Sequence, residues 1–305
     1  MHVAVAGGSG FIGRALVAEI LQAGHEVTVL TRDASRAQGR VPDGAQIAQW
    51  SPDQPETITD LLSRVDAVVN LSGESVAAQR WTPEFKQKLV DSRVNSTRAL
   101  VQAMRLAEPR PGVLVNASAV GIYGNRGEEE LTETSPPGTG FLAELAIRWE
   151  GAADEARELG MRVCKLRIGI VLGGGGGALE KMLLPFRLFV GGPFGSGRQW
   201  FPWIHLADVT GITLHALTNS AVEGAVNAVA PGIVQLGEFC KALGRVMGRP
   251  SWLPVPGFAL KLVAGELGES LLWSQRVIPQ VALQTGYQFR YPQVEEALRQ
   301  VLRKG

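Results

Sequence analysis

The chain has 305 residues, 45% of them hydrophobic, and a formal net charge of +1. That length and apolar content exclude a disordered chain and allow one large domain or two lobes sharing a cleft. With 30 basic and 29 acidic residues scattered along the chain, no basic patch marks nucleic acid as a partner, and a small molecule is the expected ligand.

The two cysteines, Cys164 and Cys240, lie far apart and outside any CxxC spacing, which argues against a disulfide framework or a structural zinc. No His/Cys/Asp/Glu cluster has metal-ligand spacing, so no metal is expected. The opening MHVAVAGG carries no basic leader and reaches a glycine turn after a strand-length run, so no signal peptide is expected. No apolar run reaches the roughly 18 residues of a membrane span. A cytoplasmic protein without a membrane partner is therefore expected, and a homodimer is compatible with the sequence.

In chain order, short apolar runs alternate with helical patterns. HVAVA (2–6), EVTVL (26–30), QIAQW (46–50), DAVVNL (66–71), GVLVNAS (112–118) and RVCKLRIG (162–169) predict strands. Between the first two, Ile12, Leu16 and Ile20 recur on one helix face and Gly24 stands where a C-terminal cap belongs. Long helices are predicted from Pro83 to about Ala107 and from Phe141 to about Leu159. This βαβ pattern predicts an α/β fold with a doubly wound parallel sheet. After Gly169 the texture changes to glycine-rich loops and helical patterns, with a late strand at 224–230. Residues 1–170 are expected to form a nucleotide-binding domain to which 200–230 return, with 171–199 and 231–305 forming a smaller, mostly helical substrate lobe.

Gly7, Gly10 and Gly13 sit at the first strand-to-helix junction. There, glycines permit a tight bend, backbone approach to a pyrophosphate and close helix packing, while the helix N-terminus favours the anion. This is the Rossmann-type arrangement, and Gly7, Ser9, Gly10, Phe11, Ile12 and Gly13 are its candidate cofactor contacts. About 20 residues further on, where an NAD site places a carboxylate, stand Thr31 and Arg32. A guanidinium suits a 2′-phosphate, which favours NADP(H); Asp33, two residues on, is the competing NAD acid. Leu71, Ser72 and Gly73 end the fourth strand and are placed by topology over the cofactor, with Glu74 and Arg80 on the loop beyond, either binding ribose, phosphate or substrate or forming an exposed ion pair.

The stretches GGSGFIG, NLSG, SRVNSTRALVQA, NASAVGIYG and WIHLADV resemble the extended short-chain dehydrogenase/reductases, which include nucleotide-sugar epimerases and dehydratases. SAVGIYGNRG, LLPFRLFVGGPFGSGRQWFPWIHLADV and SQRVIPQVALQTGYQFRYPQVEEAL are similar to its atypical YfcH-like epimerase family, with that group's C-terminal domain of unknown function. The resemblance covers essentially the whole chain. The wider superfamily's chemistry rests on a Tyr-x-x-x-Lys pair for proton transfer, which the closely matching group lacks; here positions 127, 291 and 295, four after the three tyrosines Tyr123, Tyr287 and Tyr291, hold Gly, Tyr and Glu. Phe141 or Leu142 takes the tyrosine's approximate place.

The resemblance makes Ser118 the serine that faces nicotinamide and substrate, and Tyr123 follows on the same loop as a weak acid or orienting donor, or as structural packing. Glu144 either replaces part of the lost acid–base function or is a solvated helix residue. Arg198, Trp200 and Trp203 are candidates to bind an anionic or planar substrate group, and His205 reads as a hydrogen-bonded structural residue. The run Gly173–Gly177 lacks the Gly-Lys-Ser/Thr of a P-loop and is expected to pass over the cofactor edge and start a helix. The resulting expectation is an NADP(H)-binding oxidoreductase or epimerase-like protein exchanging hydride with a small carbonyl or alcohol. The rival is a non-catalytic NADP(H) sensor or regulatory protein.

Overall fold

The strands of the main sheet form where β-branched and small apolar residues recur, and helices that follow several of them cover its two faces. The structure, a computed structural model, describes residues 1–303. Its first part runs β1 (His2–Ala6), α1 (Phe11–Gln22), β2 (Glu26–Thr31), α2 (Ala34–Ala37), β3 (Gln46–Gln49), α3 (Thr59–Leu62), β4 (Ala67–Asn70), α4 (Pro83–Val90), α5 (Ser96–Leu106), β5 (Val113–Ala119), β6 (Glu130–Leu131), α6 (Phe141–Asp154) and β7 (Arg162–Ile168). The remainder runs β8 (Ile170–Leu172), α7 (Ala178–Arg187), β9 (Trp200–Phe201), β10 (Trp203–His205), α8 (Leu206–Thr218), β11 (Gly224–Ala228), β12 (Val234–Gln235), α9 (Leu236–Met247), α10 (Gly257–Ala264), α11 (Glu266–Ser270), β13 (Arg276–Val277), α12 (Gln280–Gln284) and α13 (Val294–Arg303).

Seven strands make one sheet in the order β11-β7-β5-β4-β1-β2-β3, all parallel. This is the doubly wound α/β arrangement expected from the sequence. Alternation along β1 sorts the two cores: Val3 and Val5 pack with Leu16 and Ile20 of α1 and Val209 and Ile212 of α8, whereas Ala4 and Ala6 pack with Leu100 and Met104 of α5. Strand order reverses between β1 and β4, so the loops following these strands diverge and open a crevice at their carboxyl ends.

The helix predicted over 83–107 differs in one respect. A π-helical turn, Asp91–Asn95, separates α4 from α5. The wider turn carries the inserted residue, a feature that marks functional sites in many helices. Here it accompanies the burial of Arg93, which donates to the carbonyl oxygens of Glu74 (2.8 Å) and Leu89 (3.3 Å) and lies over the Trp149 ring.

Beyond β8 a third core joins Phe186 of α7, Phe239 of α9 and Leu298 of α13. Two polar anchors tie it to the sheet. Asp208, fully buried at the start of α8, accepts from the Tyr287 hydroxyl (3.0 Å) and from the backbone N–H groups of Arg290 (2.7 Å) and Tyr291 (3.0 Å). The Gln275 amide donates to the carbonyls of Val120 and Gly124, both at 2.9 Å, fixing the segment before β13 to the loop after β5. Among the described residues, no helix is long and apolar enough to cross a membrane.

Both cysteines are buried and unpaired. Burial pushes the Cys164 thiol up to about 11, against partial lowering by Arg162, and pushes Cys240 up to about 12. Because the thiolate is the reactive form and its fraction falls as the pKa rises, both should be inert near neutral pH. We expect a chromogenic disulfide reagent at pH 8 to detect neither thiol in the native protein and both after denaturation. Rapid native reaction of either would contradict the packing described.

Candidate functional site

The glycine turn forms the floor of the crevice. Gly7 has φ +79°, a left-handed conformation suited to glycine, and a Cβ there would lie 2.8 Å from the Leu71 carbonyl carbon and oxygen. At Gly13 a Cβ would lie 2.2 Å from the Gly7 oxygen, so α1 can approach its own turn only without a side chain. Gly10 caps α1 with extended backbone and no side-chain hydrogen bond. The first turn of α1 thus keeps its N–H groups free of a side-chain cap, the arrangement that receives a pyrophosphate.

The β4 end is held against this turn by a polar core. Leu71 N–H donates to the Ala6 carbonyl at 2.8 Å. Asn70 donates to Thr97 Oγ1 (2.9 Å) and Asn116 Oδ1 (2.7 Å) and accepts from Ser72 N–H (3.1 Å), while Trp149 Nε1 also donates to Thr97 (3.1 Å). Beneath Gly73 lies Arg93, whose burial lowers its pKa to about 10, with Glu74 opposing the shift. Arg93 and the Asn70–Asn116–Thr97 set were not singled out by sequence reasoning. The signal was present in the asparagines that close AVVN and VLVN at paired strand positions, where an apolar residue would otherwise continue the strand.

At the end of β2, Arg32 is exposed and makes no ion pair among the described residues. Asp33 is committed locally: its carboxylate accepts from Ser35 Oγ (2.6 Å) and Arg36 N–H (2.9 Å), capping α2. Those hydrogen bonds, Ser35 foremost, hold its pKa below the ordinary carboxylate value. The Asp33 cap accepts the Arg36 N–H, and Arg36, four residues after Arg32 in the chain, is also exposed. Two guanidinium-bearing residues and a committed carboxylate suit a phosphate better than a ribose hydroxyl pair.

Phe11, the first residue of α1, supports the glycine run from the other side. Built Cβ atoms on Gly173, Gly176 and Gly177 would meet its ring at 2.8, 2.8 and 3.1 Å, and Gly177 begins α7. Beyond β4, the strap 74–82 is clasped by the second lobe. Lys181 of α7 donates to the Ala77 carbonyl (3.1 Å), and Arg80 lies against Gly265. Lys86 of α4 pairs with Glu266 of α11 (2.5 Å), while the Glu74 carboxylate pairs with Lys88 (3.3 Å).

The structure places both sequence-derived candidates for proton chemistry inside the protein. Ser118 is 3% exposed and its hydroxyl donates to Glu150 Oε1 at 2.7 Å. Strand alternation turns Ser118 toward α6 and leaves its neighbour Ala119 on the opposite face. Glu150 is gripped by Arg167 through two parallel bonds of 2.9 and 3.0 Å. Burial opposes the charge on Arg167, but hydrogen bonding and attraction from Glu150 outweigh it and raise the guanidinium pKa. Tyr123 has no exposed surface; its hydroxyl accepts from Arg167 (2.9 Å) and lies 2.7 Å from Asn227 Oδ1 and 3.0 Å from the Thr132 carbonyl. Burial raises its pKa, with partial lowering by Arg167.

The other candidates are distributed around this network. Phe141 stacks edge-on with Trp81 at 5.2 Å beneath Lys86, and Leu142 lies against Gly121. Glu144 and Arg198 are exposed. Trp200 and Trp203 donate their indole N–H groups to Glu128 and the Gly232 carbonyl. His205 has the structural place expected of it, capping α8 by accepting from Ala207 N–H at Nδ1, with Nε2 2.8 Å from Gln300 Oε1.

Comparison with known proteins agrees with this architecture. Residues 3–229 match the NAD dependent epimerase/dehydratase family, and residues 255–301 match a domain of unknown function, DUF1731. The chain is 43% identical to the Arabidopsis thaliana "Epimerase family protein SDR39U1 homolog, chloroplastic", with 99% of this chain and 87% of that protein covered. It is 35% identical to the Bacillus subtilis epimerase family protein YfhF over 99% of this chain and 98% of the relative. The crystal structure of human epimerase family protein SDR39U1 (isoform 2) with NADPH superposes with a TM-score of 0.90 at 36% identity, covering both chains completely. The extent of these matches establishes that the chain belongs to the NAD dependent epimerase/dehydratase family.

Proposed function

We propose that this chain binds NADP(H) and exchanges hydride with a small carbonyl or alcohol compound. The observation that carries the cofactor assignment is the pairing of an uncapped α1 N-terminus with exposed Arg32 and Arg36 at the β2 end, while Asp33 is spent as a helix cap. The relative crystallised with NADPH supports the same reading. On the proposed reading, the backbone of Gly10, Phe11 and Ile12 would hold the pyrophosphate and Arg32 and Arg36 would hold the 2′-phosphate. Leu71, Ser72 and Gly73 line the crevice beside the turn. When bound, the nicotinamide supplies or accepts the hydride, and the protein's contribution is orientation and exclusion of water.

In this reading Ser118 and Tyr123 are positioning residues. Ser118 braces Glu150, and Tyr123 fills the space between Arg167 and Asn227, so the β5 end and the start of α6 keep their shape. Hydride addition to a carbonyl needs a proton at its oxygen and hydride removal from an alcohol releases one, and with both hydroxyls buried, water is the partner in that exchange. We expect Tyr123→Phe to cost about 1–3 kcal/mol in unfolding free energy, because Asn227 loses a buried partner, while NADPH affinity stays unchanged. A loss of NADPH binding in a variant that melts like the parent would contradict that role.

The same burial also favours a second reading, a non-catalytic NADP(H) sensor, since neither hydroxyl is offered to a ligand. The two readings separate in an isotope experiment. The protein is incubated with a metabolite extract and each stereoisomer of nicotinamide-deuterated NADPH in turn, with heat-denatured protein as control. Label from one isomer in a new product is the expected result. No label from either isomer, with NADPH binding demonstrated, would replace the oxidoreductase by the sensor or by an epimerase that returns its hydride internally.

A further inference from the structure

The second lobe carries an apolar face that the dinucleotide site does not use. Helix α10, GFALKLVA, has no buried residue. Phe258 (75% exposed), Leu262 (76%) and Val263 (78%) stand out from it, and Trp252 (63%) precedes it. The face continues onto Leu188 and Phe189 after α7, because Trp252 Nε1 donates to the Phe189 carbonyl (3.0 Å) and the Trp252 N–H to the Gly191 carbonyl (2.9 Å). Contiguous large apolar side chains of this kind mark interaction surfaces rather than ordinary solvent-facing positions.

A shallow basic depression, open to solvent, adjoins the face. Its volume is about 390 Å³, and Lys241, Arg245, Arg249 and Ser251 line it together with Gly244 and Gly248 at the end of α9. The Ser251 hydroxyl is buried there with no hydrogen-bond partner among the described residues. Arg249 joins depression to face, since its guanidinium lies 4.4 Å from the centre of the Phe189 ring. At the α9 C-terminus the Gly248 and Arg249 N–H groups donate to the carbonyls of Arg245 and Gly244, so the cations that line the depression, not the helix end, must supply any attraction for an anion.

Most carboxylates near the face are paired: Glu266 with Lys86, Glu269 with Lys261, and Glu295 with Arg245 and Arg299, while Glu238, exposed on α9, has no ion pair among the described residues. Lys241 and Arg249 have no carboxylate partner among the described residues. Exposed Trp, Phe and Leu beside uncompensated cations are the chemistry of docking at an anionic bilayer, where rings enter the headgroup boundary and cations meet phosphates. The expectation of no membrane partner rested on the lack of a spanning segment, a test that an eight-residue surface helix escapes.

We propose that this face docks on an anionic lipid surface, with α10, Trp252 and Phe189 entering the interface and the Lys241–Arg249 depression receiving a lipid phosphate. The test is flotation of the full chain with vesicles of phosphatidylcholine alone and of an equal mixture of phosphatidylcholine and phosphatidylglycerol. Two double variants, Phe258→Ser with Leu262→Ser and Lys241→Glu with Arg249→Glu, are compared at equal thermal stability and NADPH affinity. Binding to the anionic vesicles only, weakened about tenfold or more by either variant pair and by high salt, is the expected result.

Three outcomes would overturn the proposal. They are absence of flotation, equal flotation with both vesicle types, and retention in both variant pairs. Binding of inorganic phosphate without vesicle binding would reassign the depression to a soluble anion. A concentration-dependent dimer abolished by the Phe258 and Leu262 changes, without vesicle binding, would reassign the face to a second copy of the chain. Each readout stands whether or not the protein turns over a substrate.

Discussion

The approach of Gly7 to the backbone of Leu71 is the contact on which the cofactor crevice depends. It exists because β1 and β4 are neighbours whose connections leave in opposite directions, so the two loops share one opening. A Cβ on Gly7 would meet the Leu71 carbonyl, and one on Gly13 would force α1 off the turn. The β4 side answers with buried hydrogen bonds from Asn70 to Thr97 and Asn116. Sequence, strand order and a polar core therefore agree in producing one rigid edge, with the α1 N-terminus aimed into it.

The opposite half of the crevice is organised by a buried ion pair. Bringing Glu150 and Arg167 out of water is costly, and the pair persists because its geometry is bidentate and its remaining capacity is filled by Ser118 and Tyr123. Among the described residues, loss of Glu150 would leave the Arg167 guanidinium without a carboxylate, whereas loss of Arg167 would leave Glu150 with Lys165 at 3.8 Å as its one cation. The hydroxyls that a fold of this type can turn toward a substrate are here committed to holding β5, β7 and α6 together. The rigidity of this region and the enclosure of both hydroxyls thus have one physical source.

Much of the fold was legible because it rests on local periodicity: the seven strands of the main sheet, the glycine turn and the amphipathic α1 lie where alternation and spacing put them, whereas the short strands such as β8 and β10, set by pairing across the chain, were not. The long helix over 83–107 was legible in extent but not in its π turn, since burial of Arg93 depends on the Glu74 carbonyl far away in sequence. Asp33 was ambiguous until its capping bonds were visible, and Arg36 gained meaning only from that cap. For Ser118, a shift of one residue decides which face of the sheet a side chain meets, and NASAV does not by itself fix that choice. Tyr123 is enclosed by Arg167 and Asn227, 44 and 104 positions away. Such contacts are properties of the assembled sheet, not of any window of sequence.

The central claim is that this edge is built for a dinucleotide carrying a 2′-phosphate. The most direct measurement is a parallel titration of the protein with NADPH and NADH by calorimetry at low ionic strength, repeated on Arg32→Ala. The account predicts NADPH bound at least about tenfold more tightly than NADH, with most of that preference lost in Arg32→Ala while NADH affinity is unchanged. Equal affinities in the unmodified protein would contradict it.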